Sequence, residues 1–426
     1  MSAESKVAFI FSQFPCYDET FILREMNELR SAGLEFEIYS LKSPKDKIIH
    51  EEAKELAQKT HYLPFVSLKL QGCDLFFLFH HPGRYFSAFF GTLFRLLKSS
   101  ELFFKTGCLW YKAVGFARLA REQGITHVHG QWATYPATVA YIISKLNNIP
   151  FSFTGHAHDI YLDTTMLAFK IKQAKFVVTC TDNNKRYLSG LLKAKPFLSF
   201  ADMPRLSLDA DKIIVNYHGV DLRRFAPSQV ASPPSASLGT PFGRKSQVFK
   251  ILSVGSLLEC KGFEYLIEAC RMLKEQGIDF ECTIAGGGVL EENLKLKVKD
   301  EKLEDYIKFT GYITQDKLIP IYQQADVFVL VMEPEIHWGI ANVLIEAAAA
   351  SVSLVCTMLP SIPELVEDGK SGFIIPAKDP AAIAVVVEKL YRDEALRKRI
   401  GEAGRKVVEE KFDVVKNARK LKQLFS

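Results

Sequence analysis

The stretch that decides the fold runs from Ala325 to Pro376 and reads ADVFVLVMEPEIHWGIANVLIEAAAASVSLVCTMLPSIPELVEDGKSGFIIP. It opens with an apolar, β-branched run at Val327–Val331, which predicts a buried strand. A loop and a short helix over Ala341–Ala350 follow, and a second apolar run at Leu354–Cys356 predicts the next strand. Strand, loop, helix and strand in this order form the βαβ unit of a doubly wound parallel sheet, in which ligands bind at the carboxyl ends of the strands.

The chemistry available at this edge suits a nucleotide. The N-terminus of a helix supplies free N–H groups and a partial positive charge, and both favour a phosphate group. A carboxylate on the same helix, here Glu346, can accept two hydrogen bonds from a ribose diol. This βαβ unit therefore has groups that suit a phosphate and a ribose diol.

The segment Asn342-Val-Leu-Ile-Glu346-Ala resembles the donor site of glycosyltransferase family 4, whose members are retaining enzymes of the GT-B fold. The family pattern is Glu, seven residues, Glu, and Glu346 matches the second Glu, which holds the nucleotide ribose in the family. The position eight residues earlier is Trp338, and the loop after the next strand reads Met358-Leu-Pro-Ser361 where the family usually has paired glycines. The resemblance implies an α/β protein with two Rossmann-like doubly wound domains that face each other across a cleft.

Length and composition are those of a two-domain globular protein. The chain has 426 residues, 48% of them hydrophobic and 24% charged, which is usual for a globular chain long enough for two domains. A net charge of +5 is too small for this length to suggest nucleic acid as a partner. The eight cysteines form no CxxC pair, which favours free thiols in a reducing compartment. No signal peptide and no run of 18 apolar residues is visible, so we expect a cytoplasmic protein.

The domain boundary is predicted from composition and from a second motif. Residues 228–247 are rich in Pro, Gly and Ser without periodicity, which is typical of a linker. The preceding sequence, NYHGVDLRRF, resembles the NGVDLERF that ends the first domain in the family. We expect an N-terminal, acceptor-side domain over 1–225 and a nucleotide-sugar domain over 226–404, and the resemblance implies a last helix at about 405–426 that packs back on the first domain.

Two loops of the first domain resemble acceptor-side loops of the family. FPCYDETFILREMNEL, residues 14–29, resembles the amino-terminal motif of members that build bacterial exopolysaccharides such as colanic acid, and it places Glu19 and Thr20 at the cleft. FSFTGHAHDIY is close to the family's FSFTAHAHDIY, in which one histidine lies by the transferred sugar. We take it to be His156, with His158 as the other candidate.

Further polar residues accompany this loop. His129 ends the preceding strand and Asp159 follows the two histidines, so both are assigned to the acceptor side. Lone histidines are more often structural than catalytic, and HxH with a nearby Asp is also a weak metal pattern.

The second domain opens with a strand that leads into Gly255, Ser256 and the pair Lys261-Gly262. A lysine ahead of a helix N-terminus is a sound diphosphate contact. The family has Arg where this chain has Ser256. The remaining donor-binding residues implied by the resemblance are Gly286, Gly287, Trp338, Gly339, Asn342 and Val343.

The segment 62–116 is crowded with aromatic and basic residues. Amphipathic helices of this kind can lie on an anionic membrane surface. Aromatic stripes are also ordinary core in helices that pack on a sheet. Both interpretations stay open.

The resemblance implies transfer of a hexose from a UDP- or GDP-linked sugar to a glycan or polyprenyl-linked acceptor, with His156, Lys261 and Glu346 in the catalytic site and without a metal or other cofactor. It implies a role in bacterial surface polysaccharide synthesis, with peripheral contact to the inner membrane. Trp338 leaves alternatives: Glu333 or Glu335 replaces the missing carboxylate, Trp338 stacks on the sugar, or the protein is a catalytically silent assembly partner. Besides a transferase and a silent assembly partner, a third possible function is that of a GT-B-like sugar-nucleotide epimerase.

Overall fold

The computed structural model describes residues 5–16, 19–44, 53–65, 67–96, 100–193, 210–226, 248–333 and 339–426. The chain divides into two compact units, one formed by Met1–His218 with Val414–Ser426 and the other by Gly219–Asp413. The linker at 228–247, Trp338, Glu335 and most of the loop before Gly339 lie outside the described residues.

The first unit is a parallel sheet covered by helices on both faces. Its strands run in the order β3-β2-β1-β4-β5-β6-β7. The elements are β1 Val7–Gln13, α1 Thr20–Ser31, β2 Phe36–Lys42, α2 Lys54–Gln58, β3 Thr60–Tyr62, α3 Leu68–His80, α4 Pro82–Leu96, α5 Ser100–Glu122, β4 His127–Gln131, α6 Tyr135–Asn147, β5 Phe151–Gly155, α7 His158–Tyr161, α8 Leu167–Gln173, β6 Val177–Thr179, α9 Asp182–Lys193 and β7 Ile213–Val215.

The second unit is a six-stranded parallel sheet in the order β10-β9-β8-β11-β12-β13. Its elements, followed by the last helix of the chain, are β8 Phe249–Val254, α10 Phe263–Glu275, β9 Phe280–Ala285, α11 Glu291–Asp300, β10 Ile307–Gly311, α12 Gln315–Gln324, β11 Val327–Leu330, α13 Asn342–Ala349, β12 Ser353–Thr357, β13 Phe373–Ile375, α14 Pro380–Arg392, α15 Glu394–Lys411 and α16 Val414–Phe425. The prediction of two Rossmann-like doubly wound domains is confirmed.

The strands form because they are apolar runs that both layers of helices cover. All four residues of β11 and all five of β12 are buried, as expected for a central parallel strand. Their pairing is in register from Val327 opposite Ser353 to Leu330 opposite Cys356.

The last helix, α16, belongs to the first unit. Its Phe425 ring packs against the rings of Phe9 and His129 at centroid distances of 5.7 and 5.4 Å. Lys422 Nζ donates to the Ala32 carbonyl at the end of α1. Helix α15 lies in the second unit, so the two units divide the C-terminal region at Asp413 and Val414.

The aromatic segment at 62–116 is divided between core and surface. Tyr85, Trp110 and Phe116 are buried in the core of the first unit, where the Phe116 ring stacks on Tyr39 at 4.9 Å. Phe79 and Phe94 on α3 and α4 are exposed to solvent. Within the described ranges, no helix has the length and apolar composition needed to cross a membrane.

Candidate functional site

The topological switch point of the second unit lies between β8 and β11, because the chain adds β9 and β10 on one side of β8 and then adds β11, β12 and β13 on the other side. In doubly wound sheets the crevice at this point binds the ligand. The loops that leave β8 and β11 meet there, because the Glu333 N–H donates to the Cys260 carbonyl at 3.1 Å. The loop of β11 is also tied to β12, since Thr357 Oγ1 bonds both the N–H and the carbonyl of Met332 at 2.9 Å.

Lys261 lies at this meeting of loops. Its Nζ is 3.8 Å from the sulfur of Met332, and burial lowers the pKa of the ammonium from its usual value. Among the residues that the structure describes, no carboxylate lies within ion-pair distance of Lys261. A partly buried cation without a counter-ion is costly in an empty site and is well suited to receive an anion.

Two helix N-termini open at the same edge of the sheet. Helix α10 begins after Gly262, which has a left-handed φ of +53°, and α13 begins after Ala341. Neither cap residue makes a side-chain hydrogen bond, so the first N–H groups are available to an anion. By contrast, α14 and α15 in the same unit are capped by Asp379 and Asp393.

The glycine loop after β9 packs against the loop after β8. The Gly286 N–H donates to the Gly311 carbonyl, and a Cβ at Gly286 would stand 2.0 Å from the Gly255 carbonyl oxygen. Gly286 also has a φ of +138°, which side-chain-bearing residues rarely adopt. A Cβ at Gly287 would meet the Tyr312 ring at 2.7 Å. Glycine is therefore required at these two positions because neighbouring loops pack closely against them.

Glu346 is buried, 5% exposed, in the middle of α13. Its Oε1 accepts from Gln315 Nε2 at 2.8 Å, and its Oε2 accepts from the Tyr322 hydroxyl at 3.2 Å. Both donors lie on α12, so the carboxylate joins the two helices.

The other donor-side residues lie around this edge. Ser256 is exposed, while Gly339, Asn342 and Val343 are half-buried at the start of α13. Glu333 is paired with Lys378 through a 2.9 Å contact between Oε1 and Nζ. Trp338 lies outside the described residues, so its role stays a prediction.

In the first unit the switch point lies between β1 and β4. Trp132 follows β4 with a φ of +89°, a conformation that a bulky residue adopts only when its surroundings impose it. Hydrogen bonds to the following residue, Ala133, hold the backbone in this conformation. Asp159 Oδ2 accepts from the Ala133 N–H at 2.6 Å, and Lys170 Nζ donates to the Ala133 carbonyl.

His156 lies against Trp132. The two ring centroids are 4.2 Å apart, and His156 Nδ1 is 3.1 Å from Nε2 of His218. Burial lowers the pKa of both imidazoles, that of His218 to about 4, so both rings are neutral at pH 7. His156 Nε2 is buried without a hydrogen-bond partner among the described residues.

The remaining acceptor-side residues occupy different environments. His129 is fully buried in β4, and its ring nitrogens bond Ser152 and Thr154 at 2.7 and 2.9 Å, so its position is in the core rather than at the ligand edge. His158 is exposed. Asp159 is buried and accepts from the His156 N–H at 2.9 Å, so it shapes the loop. Glu19 and Thr20 are half-buried at the start of α1, with Glu19 in the cap position.

Glu25 is a titratable residue beside the end of β4 that sequence reasoning did not single out. It is half-buried on α1, its Oε1 accepts from Gln131 Nε2 at 2.9 Å, and burial raises its pKa to about 7. One turn earlier on the same helix, the Phe21 ring lies 5.4 Å from that of His156. The available signal was spacing, because Phe21 and Glu25 share a face of the first helix after β1.

Within the described ranges, no group of three His, Cys, Asp or Glu side chains could hold a metal ion. In the second unit, Lys261 and two helix N-termini without a side-chain cap lie at the switch point and form a candidate anion site. Two Rossmann-like units in one chain, with such a site in the second, define the GT-B class of fold.

Comparison with known proteins agrees with this class. Residues 241–407 match the family described as glycosyl transferases group 1. Over 188 residues the chain is 36% identical to the putative colanic acid biosynthesis glycosyltransferase WcaL of Escherichia coli strain K12, covering 43% of each chain. Over 171 residues it is 38% identical to the amylovoran biosynthesis glycosyltransferase AmsK of Erwinia amylovora, covering 39% of this chain and 42% of that one. The alignments thus span less than half the length of these relatives.

The fold has solved counterparts. The crystal structure of Anabaena Alr3699/HepE in complex with UDP and glucose is similar with a TM-score of 0.65 and 15% identity, over 98% of both chains. At this level of identity the likeness establishes the GT-B fold.

Proposed function

We propose that the protein is a glycosyltransferase of bacterial exopolysaccharide biosynthesis. It transfers a hexose from a UDP- or GDP-linked donor to a hydroxyl of a glycan or polyprenyl-linked acceptor, with retention of anomeric configuration. The observation that carries the proposal is Lys261, a partly buried cation without a carboxylate partner among the described residues, at the switch point of the unit that matches the glycosyl transferases group 1 family.

The donor diphosphate binds between Lys261 and the N-termini of α10 and α13 in this proposal. Positive charge at the departing diphosphate lowers the barrier, because negative charge accumulates there as the bond to the sugar breaks. Glu346 accepts a hydrogen bond from a ribose hydroxyl. Lysine and helix dipoles supply the electrostatic stabilisation, so we propose that the reaction needs no metal ion.

The relatives support the substrate class. WcaL and AmsK are named for colanic acid and amylovoran biosynthesis, and the Anabaena protein was crystallised with UDP and glucose. A polysaccharide repeat built on a polyprenyl carrier would place the acceptor at the cytoplasmic face of the inner membrane. We propose that the protein works there as a peripheral protein.

Calorimetry with UDP, GDP and their sugars, paired with a donor-hydrolysis assay, tests the proposal. Expected are binding of one nucleotide class in the micromolar range, slow release of free sugar, and no change in rate on addition of EDTA. Binding without hydrolysis or transfer across a panel of acceptors would identify a silent assembly partner instead. A changed sugar on the nucleotide without any acceptor would identify an epimerase.

A further inference from the structure

Helices α3 and α4 expose large apolar side chains in two stripes. We call the following set the aromatic face: Leu68, Leu75 and Phe79 on α3, and Phe86, Phe90 and Phe94 on α4. Phe79 is 73% exposed and Phe94 is 61% exposed. The three α4 rings form a ladder, with centroid distances of 5.9 and 5.5 Å between successive rings.

The aromatic face is separate from the faces by which the helices join the core. On α4, Tyr85, Ala88 and Thr92 are buried, and the Tyr85 ring packs edge-on against Trp110 at 5.5 Å. Single exposed apolar residues are normal on protein surfaces. Six of them lie on two consecutive helices, and the three on α4 are in ring contact, which is more than scattered exposure and is typical of an interaction surface.

Charge indicates what this surface contacts. Residues 67–95 contain one carboxylate, Asp74, and it is turned inward, where it accepts from the Tyr85 hydroxyl and from Trp110 Nε1, both at 3.0 Å. Lys69 and Arg84 are exposed on the same two helices. The surface therefore combines exposed phenylalanines with two exposed cations, while the one carboxylate of residues 67–95 is turned inward.

We propose that the aromatic face binds the surface of a bilayer that contains anionic lipids. The phenylalanine rings enter the boundary between headgroups and acyl chains, while Lys69 and Arg84 contact lipid phosphates. A second copy of the chain is a poorer match, because its face carries the same positive charge. The proposed function places the protein at a membrane, and this proposal names the surface that makes the contact. It does not depend on the sugar-transfer reaction.

Vesicle co-sedimentation of the full chain tests the proposal. Vesicles of phosphatidylcholine with phosphatidylglycerol at about 3:1 should bind the protein, and pure phosphatidylcholine should bind it at least about fivefold more weakly. The variant F90S/F94S should lower the partition coefficient about tenfold. K69E/R84E should lower binding to the anionic vesicles to a similar degree and remove most of its salt dependence.

The matched control is L296S/V385S, which removes two apolar side chains that are 58% and 61% exposed, on α11 and α14 of the second unit. Its partition coefficient should equal that of the wild type. Equal binding to neutral and anionic vesicles, or an unchanged partition coefficient in F90S/F94S, would overturn the proposal. Loss of a dimer in F90S/F94S, seen by size-exclusion chromatography with vesicle binding intact, would assign the face to self-association. Nucleotide calorimetry on the same variants should be unchanged, so failure of membrane binding is distinguishable from failure of the proposed transferase activity.

Discussion

Replacing Lys261 by Met should change ligand binding and stability in opposite directions. The ammonium is partly buried and has no carboxylate partner among the described residues, and burial lowers its pKa. Because the folded state disfavours the charged form, Lys261→Met should raise the free energy of unfolding at pH 7, by roughly 0.5–2 kcal/mol. Loss of a charge-assisted contact to the diphosphate costs about 1.5–3 kcal/mol, which corresponds to an affinity loss of about 10- to 150-fold.

The assay pairs urea unfolding with calorimetry of the bound nucleotide diphosphate. Since the folded pKa lies below the unfolded value, wild-type stability should rise as pH increases from the folded pKa towards 10.5. Lys261→Met should lack this rise. Lys398→Met is the matched control, because Lys398 is exposed and paired with Glu394 on α15. A Lys261→Met protein that is less stable than the wild type, yet binds nucleotide equally well, would refute the reasoning.

Three further substitutions test other parts of the two units. Glu346→Ala should weaken nucleotide binding and, because it leaves the donors of Gln315 and Tyr322 without this acceptor, should also lower the free energy of unfolding by about 1–3 kcal/mol; unchanged affinity would remove Glu346 from the site. Glu25 has a folded pKa of about 7 against 4.5, so wild-type stability should fall by about 1–3 kcal/mol as pH rises from about 4.5 to 7. Glu25→Gln should flatten that slope in urea titrations, and an unaltered slope would contradict the burial argument. Gly286→Ala places a Cβ against the Gly255 carbonyl at positive φ, so thermal unfolding should show a loss of roughly 1–3 kcal/mol or more, and a wild-type melting temperature would mean that the loops move apart freely.

Local patterns predicted most of the elements around the donor edge. Helix α13 begins at Asn342, one residue after the expected start, and β12 contains the expected strand Leu354–Cys356. These elements are readable because each is a periodic apolar run that ends in a polar loop.

Long-range partners were not predictable. The hydrogen bonds of Glu346 come from α12, and the environment of Glu25 comes from Gln131 more than a hundred positions later in the chain. His129 shows the opposite case. A histidine near a strand end was assigned to a ligand edge, but Ser152 and Thr154 on the neighbouring strand satisfy both of its nitrogens. Sequence spacing places a residue on an element, whereas the contacts of its side chain depend on how distant elements pack.

Because α16 belongs to the first unit, the two units can complete their folding at different times during synthesis. The Phe425 ring fills a position among Phe9, His127 and Phe176, at centroid distances of 5.7, 5.1 and 5.5 Å. In a chain emerging from the ribosome, strand β1 and every other strand of both sheets are made before this ring becomes available. The second unit, a continuous segment, can close its core first, and the first unit is completed only after residue 425 has been translated.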